Sequence, residues 1–319
     1  MAPYSIEDLY RDINKIDDYF YESTTGYLIV PKNSRLIHKY CHYGNTSGNC
    51  NGYFEMTSSG LIHLLKKLKD THRLEDDKLS EYAILWLIYK LNVQTKRKFA
   101  NLNDFYNSYI VNNKCYNDKI KGDNSLTYKE IIDKKKDLMN INNKEISKFN
   151  IPFYILFDLY NTVYDEYVNC TYKSNYAKIF VDKFKEINKD SNNIEESLYN
   201  KLLSTLSDDY NKLKKIYHNK KCTSFPSIPQ IEPKKKPSEN PAANSGKVSE
   251  QMLVETPKVT SSSSSISTTL IPALSIFSII PVFLGIAYKY SLFGIDKLFQ
   301  RQYLRKKLKK VKRKMKLNI

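Results

Sequence analysis

The most apolar stretch of the chain is an uncharged run near its carboxyl end, Ile266–Tyr288. Its core, residues 270–288, would be about 28 Å long as an α-helix, close to the thickness of a bilayer's hydrocarbon layer. We therefore predict one transmembrane helix over residues 266–288, because uncharged core helices of this length are uncommon in soluble domains. Pro272 falls in its first turn, and Pro281 should kink its middle. The residues expected within the membrane are Leu270, Ile271, Pro272, Leu274, Phe277, Pro281, Phe283 and Tyr288.

The residues after this run are strongly basic and give the predicted helix a direction. Residues 289–319 contain twelve Lys or Arg and one acid, so they carry +11 of the net charge of +17. By the positive-inside rule this tail stays in the cytoplasm, and residues 1–265 lie across the membrane. We expect the tail to lie on an anionic inner leaflet. One alternative is a plain stop-transfer cluster, and another is a tail that binds calmodulin-like or cytoskeletal proteins. The basic residues assigned to the membrane surface are Arg301, Arg305, Lys306, Lys307, Lys309 and Lys310.

Through most of residues 1–222, apolar residues recur at the spacing of helices, and no run alternates as strands do. Residues 23–54 break this period with several glycines and are predicted to be a loop. The predicted helices begin, or are capped, near Ser5, Gly60, Leu79, Leu102, Thr127, Ile151, Ser174 and Ile194. The first helix is expected to reach about Tyr21, and the segment around Leu79–Leu91 is apolar almost all round, which is typical of the centre of a domain. The sequence thus predicts an all-α fold of seven to nine helices around one core.

Between the helical part and the apolar run, the composition changes abruptly. Residues 223–265 hold six of the eleven prolines, the run Lys234–Lys236 and five serines ending at Ser265. Such a composition buries little apolar surface and is typical of a disordered linker. The predicted organisation is therefore a helical domain over residues 1–222, a linker over 223–265, a span over 266–288 and a basic cytoplasmic tail over 289–319.

Charge and motifs argue against nucleic-acid binding and against catalysis. Residues 1–222 carry 34 basic and 29 acidic residues, a net charge of +5, so the basic pI of about 9.3 comes mostly from the tail. The sequence contains no phosphate-binding glycine loop, no H-E-x-x-H and no G-x-S-x-G. We therefore predict a protein that is not an enzyme, with no nucleic-acid partner, no cofactor and no metal.

The five cysteines are Cys41, Cys50, Cys115, Cys170 and Cys222, all before the linker. If that side of the membrane is oxidising, two disulfides and one free thiol are expected, whereas a reducing side would leave five thiols. His38, Cys41, His42 and Cys50 could hold zinc, but their spacing matches no common finger. A local disulfide between Cys41 and Cys50 is the simpler reading, and unlinked thiols are the remaining alternative.

Several stretches resemble one known family of proteins. They include NCNGYFEMTSSGLIHLLKKLK from Asn49, LSEYAILWLIYKLN from Leu79, KKCTSFPSIP from Lys220 and YSLFGIDKLFQRQYLRKKLKKVKRKMKLNI from Tyr290. They are similar to the Plasmodium interspersed repeat (PIR) proteins, and most of all to the rodent-malaria cir, yir and bir branch. The similarity covers nearly the whole chain except the linker.

This resemblance implies a helical ectodomain, a single span and a short basic cytoplasmic tail. It also implies a variant antigen of the infected red cell, of the parasite surface or of the vacuolar membrane, with a role in immune evasion and with no enzymatic activity. The expected partners are the lipid bilayer and an unidentified host or parasite protein. The alternative function is a scaffold anchored in a membrane with its N-terminal domain in the cytosol and its basic tail translocated.

Overall fold

Helices form most of the part of the chain that the computed structural model describes, which is residues 5–20, 35–44, 46–93, 99, 101–165 and 168–235. The α-helices of that part are α1 (Ile6–Asp17), α2 (Arg35–His38), α3 (Tyr53–His72), α4 (Asp76–Val93), α5 (Leu102–Phe105), α6 (Tyr128–Asp133), α7 (Asn143–Ile146), α8 (Asn150–Asn161), α9 (Cys170–Asn188) and α10 (Leu198–Asn219). Short 3-10 turns lie at Lys114–Asn117, Lys136–Asn140 and Ser147–Phe149, and a π-helical turn lies at Tyr106–Ile110. The predicted helix-rich globular unit is confirmed. A small antiparallel hairpin, β1 (His42–Tyr43) and β2 (Thr46–Ser47), was not predicted.

Two helices begin where capping patterns in the sequence place them. The Ser5 side chain accepts the backbone N–H of Asp8 at 3.2 Å. Thr127 and Glu130 complete a reciprocal capping box at the start of α6. Each cap satisfies backbone N–H groups that the first turn of a helix leaves without a partner. The predicted starts at Ser5 and Thr127 are therefore confirmed, although α1 ends at Asp17 rather than near Tyr21.

Two other predicted helix starts are wrong, because the residues concerned lie inside helices and face the core. Helix α3 begins at Tyr53, and Gly60 lies inside it, where an added Cβ would sit 3.1 Å from the rings of Phe20 and Trp86. Glycine is used there to let these rings approach the helix backbone, not to end a loop. Ser174 is buried in α9, whose true cap is the Asn169 side chain, which accepts the Tyr172 N–H at 3.0 Å.

Helix α4 lies at the centre of the unit, as its all-round apolar character predicts. Every residue from 79 to 90 is buried, and Trp86 is fully enclosed. Helices α3, α6, α8 and α10 pack against α4, and α1 packs on α3 and α8. Trp86 is the chain's one tryptophan, so its fluorescence reports the packing of this core even in the full-length protein.

Close to this core, one ion pair is almost completely removed from water. The Lys90 ammonium lies 2.8 Å from an Asp17 carboxylate oxygen, and the two side chains are 3% and 5% exposed. The same ammonium sits 3.6 Å from the centre of the Phe20 ring. Asp17 ends α1 and Lys90 lies on α4, so the pair fixes the position of α1 against the central helix.

A second buried acid, Asp209 on α10, accepts hydrogen bonds from tyrosines of three other helices. The hydroxyl groups of Tyr10 and Tyr82 donate to Asp209 Oδ2 at 2.9 and 2.8 Å. The Tyr160 hydroxyl donates to the Asp209 backbone carbonyl at 2.7 Å. Burial raises the pKa of Asp209 to about 6, although both tyrosine hydrogen bonds act in the opposite direction.

We expect the raised pKa of Asp209 to contribute more to the free energy of unfolding at acidic pH than at neutral pH. Its carboxyl group has a pKa of about 6 in the folded state and 3.8 in the reference state, so the folded chain binds the extra proton between these values. The contribution is therefore present below about pH 4 and is lost as the pH rises through about 6, a change on the order of 2 to 3 kcal/mol. Urea unfolding of wild type and Asp209→Asn at pH 4 and pH 7.5 measures it. The wild type should lose stability relative to the variant as the pH rises, and a constant difference would refute the assignment.

The packed unit extends beyond the predicted domain boundary at residue 222. Residues 223–235, which we call the strap, run extended along α10 and reach the α9–α10 loop. Phe225 is buried and stacks on Tyr217, with ring centres 4.8 Å apart. The Tyr210 hydroxyl donates to the Pro226 carbonyl at 2.7 Å. The start of the predicted linker is thus too early, because its first residues pack on helices. Residues 236–265 lie outside the described part.

Candidate interaction surface

A disulfide between Cys41 and Cys50 closes the hairpin against the start of α3. The two Cα atoms are 5.2 Å apart, and both side chains are buried. The Gly48 N–H donates to the Cys41 carbonyl at 2.9 Å, and Gly48 adopts a φ of +76°, which glycine accommodates without strain. The local disulfide considered from the sequence is therefore the arrangement in the structure, and it holds the hairpin in one conformation at the surface.

The four residues considered for zinc serve structural roles. The disulfide uses both thiols, and the His38 Nδ1 atom accepts the Cys50 N–H at 3.0 Å. Burial lowers the pKa of His38, which suits this neutral acceptor role. The His42 ring nitrogen Nε2 lies 3.1 Å from the Lys39 carbonyl. Within the described ranges, no group of three or more His, Cys, Asp or Glu side chains is placed to hold a metal ion.

Asn113 ties the hairpin to the turn that follows α5. Its side-chain amide donates to the Tyr40 carbonyl at 2.7 Å and to the Tyr43 hydroxyl at 3.2 Å. The Tyr43 hydroxyl in turn donates to the Tyr109 carbonyl at 2.9 Å. Burial raises the pKa of Tyr43 to about 12, so this hydroxyl remains a donor at physiological pH. The hairpin and the π-helical turn therefore form one surface.

Removing the Asn113 amide should loosen the hairpin without unfolding the unit. We expect Asn113→Ala to cost about 1 to 3 kcal/mol, because the Tyr40 carbonyl loses its buried donor. Hydrogen exchange of residues 40–48 should become faster, while exchange in α4 stays unchanged. Asn117→Ala, an exposed asparagine nearby, is the control. Equal exchange in the two variants would show that Asn113 does not hold the hairpin.

The outer side of this region exposes apolar and aromatic groups, and we call it the hairpin surface. Leu36 and Val111 are 47% and 49% exposed, unusually high for large apolar side chains. Tyr43 and Tyr109 meet edge to face with ring centres 6.0 Å apart, and the Lys39 ammonium lies 4.7 Å from the centre of the Tyr40 ring. The residues of the hairpin surface are Leu36, Lys39, Tyr40, Tyr43, Tyr109 and Val111.

The segments that build the hairpin surface carry positive charge, and Glu55 of α3 places one carboxylate close enough to Tyr43 to add to burial in raising its pKa. Residues 35–44 and 105–117 contain no Asp or Glu, but they contain Arg35, Lys39 and Lys114, all exposed. Tyrosine and arginine are enriched at protein contact sites. Such a surface best fits a protein partner that inserts apolar groups and carries acidic groups around them.

A second disulfide, Cys170–Cys222, joins the first residue of α9 to the chain just after α10. Its Cα atoms are 5.1 Å apart, and 52 residues separate the two cysteines along the sequence. Cys115 is the free cysteine of the described part, and burial together with the nearby Asp118 carboxylate raises the pKa of its thiol. The sequence left the pairing of the five cysteines open, because these partners lie far apart along the chain.

A shallow groove of ≈ 520 Å³ lies between α10 and the strap. Its walls offer hydroxyl, amide and aliphatic groups but no acid or base: Ser207, Asn211, Ser227, Ile228, Pro229, Gln230 and Ile231. Asp209, a buried acid of α10, accepts hydrogen bonds from two tyrosines inside the core. The groove therefore supplies polar contacts for a ligand or for backbone, and no proton-transfer group.

The membrane residues predicted from the sequence lie outside the described residues. These are Leu270, Ile271, Pro272, Leu274, Phe277, Pro281, Phe283 and Tyr288 in the span, and Arg301, Arg305, Lys306, Lys307, Lys309 and Lys310 in the tail. Among the described helices, none is both long and apolar enough to cross a bilayer. The span and the basic tail stay predictions from the sequence.

Comparisons with known proteins agree with the helical unit. The profile of a family described as Plasmodium variant antigen protein Cir/Yir/Bir matches residues 10–289. A solved structure titled "Structure of a Plasmodium PIR protein ectodomain" is similar to the chain at 30% sequence identity, with a TM-score of 0.54. The match covers 72% of this chain and 98% of the solved one. A search of curated proteins found no match.

Proposed function

Because the chain belongs to the Plasmodium Cir/Yir/Bir family of variant antigen proteins, we propose that it is a single-pass membrane antigen that displays its helical unit to the host. The span over residues 266–288 anchors it, the basic tail lies on the anionic cytoplasmic leaflet, and no catalysis is involved. The membrane is the surface of the infected erythrocyte or of the parasite, or the vacuolar membrane. Presentation of a variable protein surface at such a membrane serves immune evasion.

The pair of disulfides is the observation that carries this proposal. Four of the five cysteines pair, as Cys41–Cys50 and Cys170–Cys222, and Cys115 is left as the free thiol. Stable structural disulfides form in oxidising compartments and are rare in the cytosol. The pairing therefore supports a helical unit that faces away from the cytosol, as the basic tail also predicts.

The hairpin surface is the part of the unit that we assign to contact with a host protein. It exposes Leu36 and Val111 on backbone segments that a disulfide and the Asn113 amide hold in place. A rigid apolar surface loses little conformational entropy when it binds, which favours affinity. The cations around it favour a partner with acidic groups at the rim of the contact.

Counting reactive thiols in infected cells separates this function from a scaffold with a cytosolic N-terminal domain. The protein is denatured without reduction in the presence of a polyethylene-glycol maleimide, which adds a visible mass to each free thiol. A displayed antigen should gain one adduct, at Cys115, and five after reduction. Cys115→Ala should gain none before reduction. Five adducts without reduction would show that the unit is kept reduced and would favour the scaffold.

Binding to host blood cells tests the hairpin surface separately. The full-length protein in nanodiscs, labelled with a fluorophore, is measured by flow cytometry. The double variant Leu36→Asp/Val111→Asp should bind at least tenfold less, because charges replace the two large exposed apolar groups of the hairpin surface. The control is Tyr164→Asp, which changes the other large exposed hydrophobic residue of the described part. Tyr164 is distant in sequence from the hairpin surface, so this variant should bind as wild type does. Unchanged binding of the double variant would move the contact elsewhere.

A further inference from the structure

The strap follows α10 in the reverse direction over most of its length. It begins beside Tyr217, near the end of the helix, and it ends beside Asn193, before the helix starts. Helix α10 has 22 residues and is therefore about 33 Å long. The chain consequently leaves the described unit at the opposite end of α10 from the Cys170–Cys222 disulfide.

Two buried asparagines hold the far end of the strap through its backbone alone. The Asn188 amide donates to the Gln230 carbonyl at 2.8 Å, and its oxygen accepts the Glu232 N–H at 3.1 Å. The Asn193 side chain is fully buried and donates to the Asn188 carbonyl at 2.8 Å. The Asn188 side chain thus pairs with both a backbone acceptor and a backbone donor of the strap, as a neighbouring β-strand would.

The backbone of the α9–α10 loop adds a third point of attachment. The Lys234 N–H donates to the Asn193 carbonyl at 2.8 Å, and the Glu195 N–H donates to the Lys234 carbonyl at 2.9 Å. The strap side chains around this end are exposed or half-buried, in contrast to the buried Phe225 at the other end. The far end is therefore held by a few hydrogen bonds with little apolar burial, so it costs less to open than a helix of the core does.

We propose that the strap is a latch that detaches from α10 without unfolding the helices, and that the Cys170–Cys222 disulfide stops this detachment at residue 222. A pull on the chain beyond residue 235 acts first on the contacts of Asn188 and Asn193. When these release, residues 223–235 become free, with an extended length of about 43 Å. The disulfide then transfers the pull to α9 and α10 together and protects the end of α10.

Hydrogen exchange of the full-length protein in nanodiscs, measured by mass spectrometry, tests the latch. In wild type, residues 228–235 should exchange more slowly than an unstructured peptide but at least tenfold faster than the middle of α10. Asn188→Ala should speed exchange of this segment at least tenfold and leave α10 unchanged. Asn107→Ala, an exposed asparagine of the π-helical turn, is the matched control and should change neither.

The disulfide is tested by the double variant Cys170→Ala/Cys222→Ala. Fast exchange should then spread from the strap into residues 214–221, while α4 keeps its slow exchange. Phe225→Ala opens the strap from its other end and keeps the test valid if Asn188→Ala fails to fold. A strap that exchanges only as fast as α10, or one with no protection in wild type, would overturn the latch. So would exchange in residues 214–221 that does not respond to loss of the disulfide. The latch concerns residues 188–235 alone, so its failure would leave the proposed membrane topology untouched.

Discussion

Replacing Lys90 with methionine is expected to destabilise the protein by about 3 to 5 kcal/mol, the usual cost of removing one partner of a buried ion pair. The Asp17 carboxylate is 5% exposed and lies 2.8 Å from the Lys90 ammonium. Methionine fills a similar volume but supplies no charge, so the acid is left buried without its ammonium partner. Urea unfolding followed by Trp86 fluorescence measures the loss, because this single tryptophan lies on the same helix.

An exposed pair of the same chemistry provides the control. Lys183 and Glu186 are 2.7 Å apart on α9, with side chains 32% and 54% exposed. Lys183→Met should cost about 0 to 1 kcal/mol, because solvent screens surface pairs. The double variant Asp17→Leu/Lys90→Met should recover much of the stability lost by Lys90→Met alone, since no charge is then left buried. Equal losses for Lys90→Met and Lys183→Met would contradict the structural role of the Asp17–Lys90 pair.

Loss of the Cys170–Cys222 disulfide is expected to cost about 4 kcal/mol, from the entropy of the closed loop in the unfolded chain. This bridge closes 52 residues, whereas Cys41–Cys50 closes 9. The same relation gives about 2.5 kcal/mol for the shorter loop. Loss of Cys170–Cys222 should therefore lower the free energy of unfolding more than loss of Cys41–Cys50 does. Urea unfolding of Cys170→Ala/Cys222→Ala and Cys41→Ala/Cys50→Ala under oxidising conditions measures both.

Cys115→Ala and reduction supply the controls for the disulfide experiment. Cys115 is in no disulfide, so its replacement should change stability much less than either double variant. Reduction of the wild type should lower its stability by about the sum of the two disulfide terms, while reduction of Cys170→Ala/Cys222→Ala should remove only the shorter one. A wild type that is insensitive to reduction would show that the disulfides are not formed.

The elements that the sequence predicts well are those whose signals are local. The apolar run around Trp86 predicts the central helix because burial on all sides leaves no polar face. Ser5 and Thr127 predict helix starts because a cap and its partner are three residues apart. The sequence suggests the local Cys41–Cys50 bridge for the same reason, since a loop of only eight residues, two of them glycines, separates the cysteines.

The features missed from the sequence depend on contacts between distant segments. The pairing of Cys170 with Cys222 requires α9 and α10 to lie side by side, and no local pattern encodes that arrangement. A glycine in the sequence suggests a loop, so Gly60 is expected at a helix start. Only the structure shows that the rings of Phe20 and Trp86 pack against its backbone inside α3. Asp17 and Lys90 look like ordinary surface charges in the sequence, because only the tertiary fold, which brings the end of α1 to α4, removes them from water.

The strap falls inside the predicted linker because its prolines indicate solvent-exposed chain. A signal for packing was nevertheless present in the sequence. Phe225, Ile228 and Ile231 recur every third residue, and a polyproline II segment repeats every three residues, so these side chains share one side. Phe225 is buried and both isoleucines are half-buried, in agreement with one side that faces α10. The hydrogen bonds from Asn188 and Asn193 to the strap give no such signal in the sequence, because they involve only backbone atoms of the strap.

Staining of infected cells with two antibodies, one against the helical unit and one against residues 289–319, tests the proposed topology most directly. On intact infected erythrocytes, or on released parasites whose plasma membrane is intact, the antibody against the helical unit should bind and the tail antibody should not. After permeabilisation both should bind. Binding of the tail antibody alone to intact cells, or of neither antibody before permeabilisation of every membrane, would contradict a helical unit displayed to the host.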